Sequence, residues 1–231
     1  MASVVIVQAR MGASRLPNKM MLYLHGLPII GWVLQRVRQA RQVDRIVFAI
    51  PDGPSDDILA EYLEQQCVSV VRGSERDVLG RFYVAATLSE AETVIRVCAD
   101  NPMVSGSEID RIITIFKQGK YDYAYNHIPL NNRYPDGLGA EVTSISVLET
   151  LNREATLVEH REHVFNYLWT HRGRFRVGTC DPEDEDLACP ELKFDIDTME
   201  DYLRLLRLNM NPDSSAKEIV KAALTNLRRE T

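Results

Sequence analysis

The stretch VVIVQARMGASRLPNK, residues 4–19, decides the fold and the place of the functional site. Its first part, VVIVQA (4–9), is an unbroken apolar run typical of a buried strand. Its second part is a loop that contains no acidic residue and carries Arg10, Gly12, Ser14, Arg15 and Lys19. A buried strand that leads into a basic loop predicts an α/β protein with an anion-binding site at the end of this strand.

Outward from this stretch, strand patterns alternate with helical ones. Strands are predicted over 4–9, 45–50, 68–73, 93–100 and 122–126, and helices over 28–42, from Ser55, over 77–90 and over 105–119. This alternation favours a mostly parallel sheet with helices on both faces. Ligands of such sheets bind at the carboxyl ends of the strands, where the sequence has ARMGASR, RGSERD and ADNP.

After residue 126 the alternation breaks. The segment 127–144 contains two prolines and two glycines and reads as loop and short strand. We expect a helix over 159–173, a strand over 174–180, a return to the main sheet at KFDID (193–197), and two closing helices at about 199–209 and 214–229. The chain is interpreted as a single domain, 1–231, with an inserted arm at about 127–180.

Composition narrows the function. The 231 residues are 45% hydrophobic and 26% charged, as in ordinary globular proteins. No apolar run approaches the roughly 20 residues of a membrane-spanning helix, and the start lacks a secretory leader pattern, so we expect a cytoplasmic protein with no membrane partner. The net charge of -6 argues against a nucleic-acid partner. Residues 1–51 nevertheless carry seven basic residues and one acidic residue, which favours a small, highly charged anion as ligand.

The basic loop has the chemistry of a triphosphate site. Gly12 allows a ligand to approach the backbone, Ser14 and backbone N–H groups can donate to phosphate oxygens, and Arg10, Arg15 and Lys19 can neutralise the charge. The loop has neither the GK[ST] of a Walker A motif nor a GxGxxG fingerprint, which excludes a dinucleotide-dependent dehydrogenase. The alternative is a basic surface loop with a proline turn.

Three carboxylates near predicted strand ends could hold one hard cation. Asp100 ends the fourth strand, and Asp195 and Asp197 would point to one side of a late strand because strand side chains alternate. Oxygen ligands beside nucleotide phosphates suit Mg²⁺. The alternative is that each aspartate caps a turn or a helix, with Asp197 as the N-cap of the helix that follows.

The loop ARMGASRLPNK resembles that of the CTP-dependent sugar-acid cytidylyltransferases, the family that activates 3-deoxy-octulosonate and acylneuraminate-type sugars. Within it the chain is similar to the spore-coat polysaccharide biosynthesis subgroup. The resemblance continues in order along nearly the whole chain, through RGSERDVLGRFYVAA (72–86), ADNPMVSGSEID (99–110), YPDGLGAEV (134–142), REHV (161–164) and FDIDTMEDY (194–202).

This resemblance implies a Rossmann-like nucleotide-diphospho-sugar transferase fold, a homodimer that associates through the arm, and transfer from CTP to a sugar acid with release of pyrophosphate. It implies catalytic roles for Arg15, Lys19, Asp100 and Asp197. Nucleotide binding falls to Arg10, Met11, Gly12, Ser14, Arg15, Lys19, Arg72 and Asp100, and Mg²⁺ binding to Asp100, Asp197 and Asp195. From the residues themselves, the acceptor pocket could include Asn101, Asp136 and Glu141, with Asp136 and Glu141 accepting from sugar hydroxyls; the alternative is that Pro-Asp-Gly at 135–137 is simply a turn. Asp77 is interpreted as a helix N-cap, and His160 and His163 as helix-surface or dimer contacts.

The chain departs from the family pattern at Asn18, Ala99, Asn101, Gly139 and Lys193. These positions lie beside the expected acceptor and base pockets, so the sugar and the strictness of cytidine selection stay open. Two alternatives are a nucleotidyltransferase that uses a sugar 1-phosphate and a catalytically silent nucleotide-binding scaffold.

Overall fold

The computed structural model describes residues 2–230, with the backbone alone for Arg229 and Glu230. The strands are β1 (Ser3–Gln8), β2 (Tyr23–Leu24), β3 (Leu27–Pro28), β4 (Arg45–Pro51), β5 (Ser69–Gly73), β6 (Thr93–Cys98), β7 (Tyr123–Tyr125), β8 (Glu141–Ser144) and β9 (Val177–Thr179). The helices are α1 (Ile29–Val37), α2 (Asp57–Gln65), α3 (Val78–Leu88), α4 (Gly106–Gly119), α5 (Ile145–Glu154), α6 (Val158–Glu162), α7 (Asn166–Thr170), α8 (Met199–Leu206) and α9 (Ala216–Glu230).

The predicted α/β architecture is confirmed. Seven strands form one sheet in the order β5-β4-β1-β6-β8-β7-β9, and only β8 runs antiparallel to its neighbours, while β2 and β3 form a separate hairpin. β1 lies near the centre, and its residues Val4, Val5, Ile6 and Val7 are fully buried because both faces of the sheet are covered. This placement brings the loop after β1 to the middle of the carboxyl edge of the sheet.

Three apolar clusters form the core. One face of the sheet packs against α1, α2 and α4, and the other against α3, α5, the short helix α7 and the two residues Val164 and Phe165 before it. A third cluster joins the residues around Phe194 and Ile196 to α8 and α9. No helix among residues 2–230 is long and apolar enough to cross a lipid bilayer.

The prediction that 193–197 is a strand of the main sheet is wrong. Lys193 makes one isolated bridge with Asp136, and the N–H of Ile196 donates to the carbonyl of Asp100 at 2.9 Å. The segment is therefore held by two loops instead of a neighbouring strand. Phe194 and Ile196 bury their side chains in the third cluster, which keeps Asp197 beside Asp100.

The predicted helix over 159–173 is divided into α6 and α7, which end and begin on either side of His163. His163 has extended backbone angles, and the buried Val164 and Phe165 insert into the core directly after it. The expected strand over 174–180 is only β9. The segment 127–180, interpreted as an arm, contributes β8 and β9 to the main sheet.

The helix predicted over 28–42 ends at Val37. The backbone N–H groups of Arg41 and Gln42 donate to the carboxylate of Asp110 on α4, both at 2.8 Å, so they leave the helix for a side-chain partner. Arg36 is buried and donates to the carbonyls of Val104 and Ser214. Burial lowers the pKa of Arg36 to about 10.

Candidate active site

Two hydrogen bonds from backbone N–H groups hold the basic loop after β1 in place. The N–H of Met11 donates to Oδ1 of the buried Asp56 at 2.8 Å, and the N–H of Asn18 donates to the carbonyl of Met11 at 3.2 Å. The Met11 side chain packs in the core, so this residue holds the loop in place and its side chain is not presented to a nucleotide. Gly12 is exposed on the same loop.

The loop forms one wall of a cleft of about 280 Å³ at the carboxyl ends of β1 and β6. Arg10, Ser14 and Arg15 line this cleft and are exposed, so their polar groups are accessible to a ligand. Lys19, Asp100 and Asp197 complete the part predicted from the sequence, and Gln8, Ala9, Ala13, Met20, Cys98, Ala99 and His163 provide the rest of the lining. The structure therefore brings residues from four separate parts of the chain, 8–20, 98–100, His163 and Asp197, to one cavity.

Lys19 lies at the centre of the charged groups in this cleft. Its Nζ donates to Asp100 Oδ2 at 3.0 Å, to the carbonyl of Ile196 at 2.7 Å and to Asp197 Oδ1 at 3.3 Å. The side chain is only 8% exposed, and an ammonium has three donors, all of which are used here. Lys19 thus holds the two carboxylates together, whereas the sequence predicts that it contacts phosphate directly.

Arg15 is much more exposed to solvent than Lys19. Its Nη2 lies 2.7 Å from Asp197 Oδ2, but its side chain is 64% exposed. Because one edge of a guanidinium can bind a carboxylate while other donors remain available, Arg15 can contact a second anion.

The expected group of three carboxylates is not assembled. Within residues 2–230 no three His, Cys, Asp or Glu side chains are placed to share a metal ion. Asp195 binds Lys193 Nζ at 3.1 Å, and its other oxygen is buried without a hydrogen-bond partner. Asp100 and Asp197 converge on one cation, the Lys19 ammonium, and two carboxylates with substrate phosphates are a common way to hold Mg²⁺. Asp197 is not the helix N-cap, because Thr198 caps α8 with Asp201.

Asp136 lies at the edge of this acidic group. Burial, reinforced by the nearby Asp195 carboxylate, raises the pKa of Asp136 to about 6. Asn101 is buried in the turn after β6, where its N–H donates to the carbonyl of Cys98 at 3.1 Å. Neither residue lines the cleft itself.

Glu141 and Arg72 do not reach the cleft. The carboxylate of Glu141 is buried against the sheet, where it accepts from Arg96 and from the hydroxyl of Tyr123, the latter at 2.6 Å. Burial alone would raise the pKa of Glu141, but Arg96 and His127 hold it below its usual value. Arg72 lies within β5 and binds Asp57 at 2.7 Å. The expectation that Glu141 accepts from sugar hydroxyls is therefore wrong, because its oxygens are already satisfied inside the protein.

Two residues contribute to the site in ways that the sequence does not predict. His163 lines the cleft instead of serving only as a helix-surface or dimer contact, and the REHV motif that contains it is the one indication in the sequence. Asp56 accepts from the N–H of Met11 and so holds the basic loop in place. No pattern in the sequence around Asp56 predicts this role. Asp77, in contrast, accepts from the N–H of Gly80 at 2.9 Å and caps α3 as predicted.

A mostly parallel sheet with a basic cleft and paired carboxylates at its carboxyl edge is typical of a nucleotidyltransferase. The chain belongs to the cytidylyltransferase family, whose model matches residues 4–229.

Individual relatives agree with this assignment. The chain is 34% identical to the spore coat polysaccharide biosynthesis protein SpsF of Bacillus subtilis over 93% of its own length and 91% of that protein. A cytidylyltransferase structure from Leptospira borgpetersenii matches 99% of this chain and 96% of its own, with a TM-score of 0.89 and 25% identity. A CMP:2-keto-3-deoxy-manno-octonic acid synthetase complexed with CTP shares the fold, with a TM-score of 0.64, 16% identity, and coverage of 89% of this chain and 97% of that one.

Proposed function

We propose that this cytidylyltransferase joins CTP to a sugar acid of the 3-deoxy-octulosonate or nonulosonate type and releases pyrophosphate, with Mg²⁺ as its metal, in the synthesis of a surface polysaccharide. The observation that carries the proposal is the convergence of a basic loop and two carboxylates on one cleft. The acceptor class is supported by the synthetase that shares the fold and by the family resemblance of the motifs.

In this proposal the triphosphate binds to the exposed groups of the loop. Arg10 and Arg15 neutralise phosphate charge and the Ser14 hydroxyl donates to a phosphate oxygen. Lys19 keeps Asp100 and Asp197 in position through hydrogen bonds to both carboxylates. Positioning and charge neutralisation would provide most of the catalysis, as in other phosphoryl-type transfers.

Asp100 and Asp197 are the residues that would hold Mg²⁺. When bound, this ion supplies charge neutralisation at the α-phosphate and at the departing pyrophosphate. The acceptor hydroxyl attacks the α-phosphorus, its oxygen forms the new bond, and the bond to pyrophosphate breaks. His163, which lines the same cleft, would take the hydroxyl proton.

We also propose that the chain forms a homodimer through the segment 127–180. Leu157 and Val158, adjacent residues at the start of α6, are 54% and 78% exposed. Large apolar side chains at this exposure favour contact with another protein surface. A sedimentation experiment at micromolar concentration should give the mass of two chains; a monomer would refute this part of the proposal.

The test of the function is pyrophosphate release from CTP, UTP, ATP, GTP and dTTP in the presence of Mg²⁺ and a panel of sugar acids and sugar 1-phosphates. We expect release with CTP and a sugar acid. Arg15→Ala should abolish it, whereas Arg153→Ala should not, since Arg153 is also an exposed arginine beside one carboxylate, with 66% of its side chain accessible.

Release with a sugar 1-phosphate in place of a sugar acid would overturn the acceptor assignment and favour the sugar-phosphate alternative. Nucleotide binding without release from any acceptor would favour a silent scaffold. Activity unchanged in Arg15→Ala would refute the role of the loop.

A further inference from the structure

Arg81, in the first turn of α3, is a buried cation with unused donors. The residue is 3% exposed, and its Nη1 donates to the carbonyl of Ser74. Its Nε and Nη2 are buried, and neither has a hydrogen-bond partner among residues 2–230. These two atoms belong to the same edge of the guanidinium. A buried charged donor pair left unmet is costly, so this edge calls for an acceptor that the protein does not itself provide.

The free edge lies beside the basic loop. The stem of Arg81 packs against Gly73, where a Cβ would come within 3.3 Å of its Cγ. Burial and the nearby Arg10 lower the pKa of Arg81, whereas the carboxylates of Asp56, Asp77 and Glu75 oppose this effect. Arg81 therefore stands in the field of both the first residue of the loop and the aspartate that anchors it.

Two exposed side chains lie near this edge. Arg10 is an electrostatic neighbour of Arg81, and Glu75 reaches across to the loop, since a Cβ on Gly12 would lie 3.2 Å from its Oε1. Because Nε and Nη2 are buried, a ligand would reach them only after surface side chains such as these two move.

The donors on this edge of Arg81 and the charged groups around it indicate what kind of ligand it can bind. The edge that contains Nε and Nη2 presents two parallel N–H donors, which match a planar group with two adjacent acceptors. Three of the four charged neighbours of this edge are carboxylates and the fourth is Arg10, so a neutral ring that also carries an amino group is favoured here over a phosphate. Cytosine presents O2 and N3 as adjacent acceptors and an N4 amino group that a carboxylate can accept. Uracil presents an N3–H to the same donors.

We propose that Arg81 reads the nucleobase, with Nε–H and Nη2–H donating to O2 and N3 of cytosine and Glu75 accepting from the N4 amino group. This inference rests on the proposed function, because it assumes that the triphosphate of the same nucleotide binds to the loop. It assigns selection of cytidine over uridine to a residue outside the cleft lining.

The test is calorimetry of CTP, UTP, GTP and inorganic tripolyphosphate with Mg²⁺, on the wild type and on Arg81→Lys. The wild type should prefer CTP to UTP by about 10- to 100-fold, the range that one bidentate base contact provides. Arg81→Lys keeps the charge and loses the paired donors, so the ratio should fall close to one with tripolyphosphate affinity unchanged. Arg76→Lys, at an exposed arginine in the loop before α3, should retain the ratio.

An unchanged ratio in Arg81→Lys, equal binding of CTP and UTP by the wild type, or GTP binding as tight as CTP would overturn the inference. Loss of tripolyphosphate affinity in Arg81→Lys would also overturn it, since the residue would then bind phosphate. If no nucleotide and no tripolyphosphate binds to the wild type, the proposed function itself fails.

A second measurement covers the case in which Arg81→Lys does not fold. Nitrogen-15 NMR of the arginine Nε–H groups in the wild type, titrated with CMP and with UMP, should show the assigned Arg81 resonance shifting with CMP and not with UMP. An Arg81 resonance that responds to both or to neither contradicts the inference.

Discussion

Two clusters in this protein pair a cation with carboxylate, yet they differ in how far a ligand can reach them. At the cleft, Lys19 binds Asp100 and Asp197, whose side chains remain 30% and 25% exposed. Inside the sheet, Arg96 on β6 binds Glu141 on β8, whose side chain is 4% exposed. The first cluster has carboxylate oxygens that a ligand can reach, whereas the second is closed. Accessibility, more than residue type, separates a candidate active site from a structural ion pair.

The largest effect should come from Glu141→Gln. This change leaves Arg96 buried without a counter-charge, and loss of one partner of a buried pair costs about 3–5 kcal/mol. Urea unfolding should show this decrease in the free energy of unfolding. Glu90→Gln, which removes a carboxylate that is 81% exposed and paired with Arg45, should stay within error of the wild type. Equal stability of Glu141→Gln and the wild type would mean that the two clusters are not different in kind.

Lys19→Ala should lower both stability and turnover. Its ammonium is buried and fully hydrogen-bonded, so its removal leaves Asp100 and Asp197 facing each other and should cost about 1–3 kcal/mol. Turnover should fall because the two carboxylates lose their fixed position. Unfolding and pyrophosphate release are measured on the same preparation; wild-type stability would show that the hydrogen bonds of Lys19 are not structural.

Arg15→Ala should separate function from stability. Its side chain is exposed, so the free energy of unfolding should change by no more than about 0.5 kcal/mol. Turnover should fall at least about 100-fold, as when one charge-stabilising donor is removed from an active site. The comparison with Arg153→Ala gives the baseline for an exposed arginine, and a stability loss as large as that of Lys19→Ala would contradict this assignment.

The smallest effect concerns pH. The pKa of Asp136 is raised to about 6 from an ordinary 3.8, so the folded state binds a proton that the unfolded state has released. Its contribution to stability is present at low pH and is lost as pH rises through about 4 to 6. Asp136 is partly exposed and therefore screened, so the contribution should be less than about 2 kcal/mol. Asp136→Asn should flatten this part of the stability–pH curve; a steeper loss in the variant would contradict the sign.

Features that depend on residues adjacent in the chain are predicted well from the sequence. The apolar run of β1 and the charged loop after it are adjacent in sequence, so the fold class and the cleft wall follow from one stretch. Contacts between residues far apart in the chain are not predicted in the same way. Lys19 meets Asp100 and Asp197 across 81 and 178 residues, and which of its possible ligands it binds depends on the path of the segment 193–197.

Glu141 shows why residue type misleads. A carboxylate in a motif beside a predicted pocket is a reasonable sugar ligand, but the cross-strand register that pairs Glu141 with Arg96 is not visible in the sequence. The buried state of Arg81 is equally hidden, because an arginine in the first turn of a helix is usually exposed.

The most direct test of the central claim is calorimetry of CTP with Mg²⁺ on the wild type, Arg15→Ala and Arg153→Ala. The loop and paired carboxylates predict that CTP binds the wild type and Arg153→Ala alike, and that Arg15→Ala binds at least about 10-fold more weakly through loss of one charge-assisted contact. Absence of CTP binding to the wild type, or equal affinity in all three proteins, would contradict the assignment of this cleft as the nucleotide site.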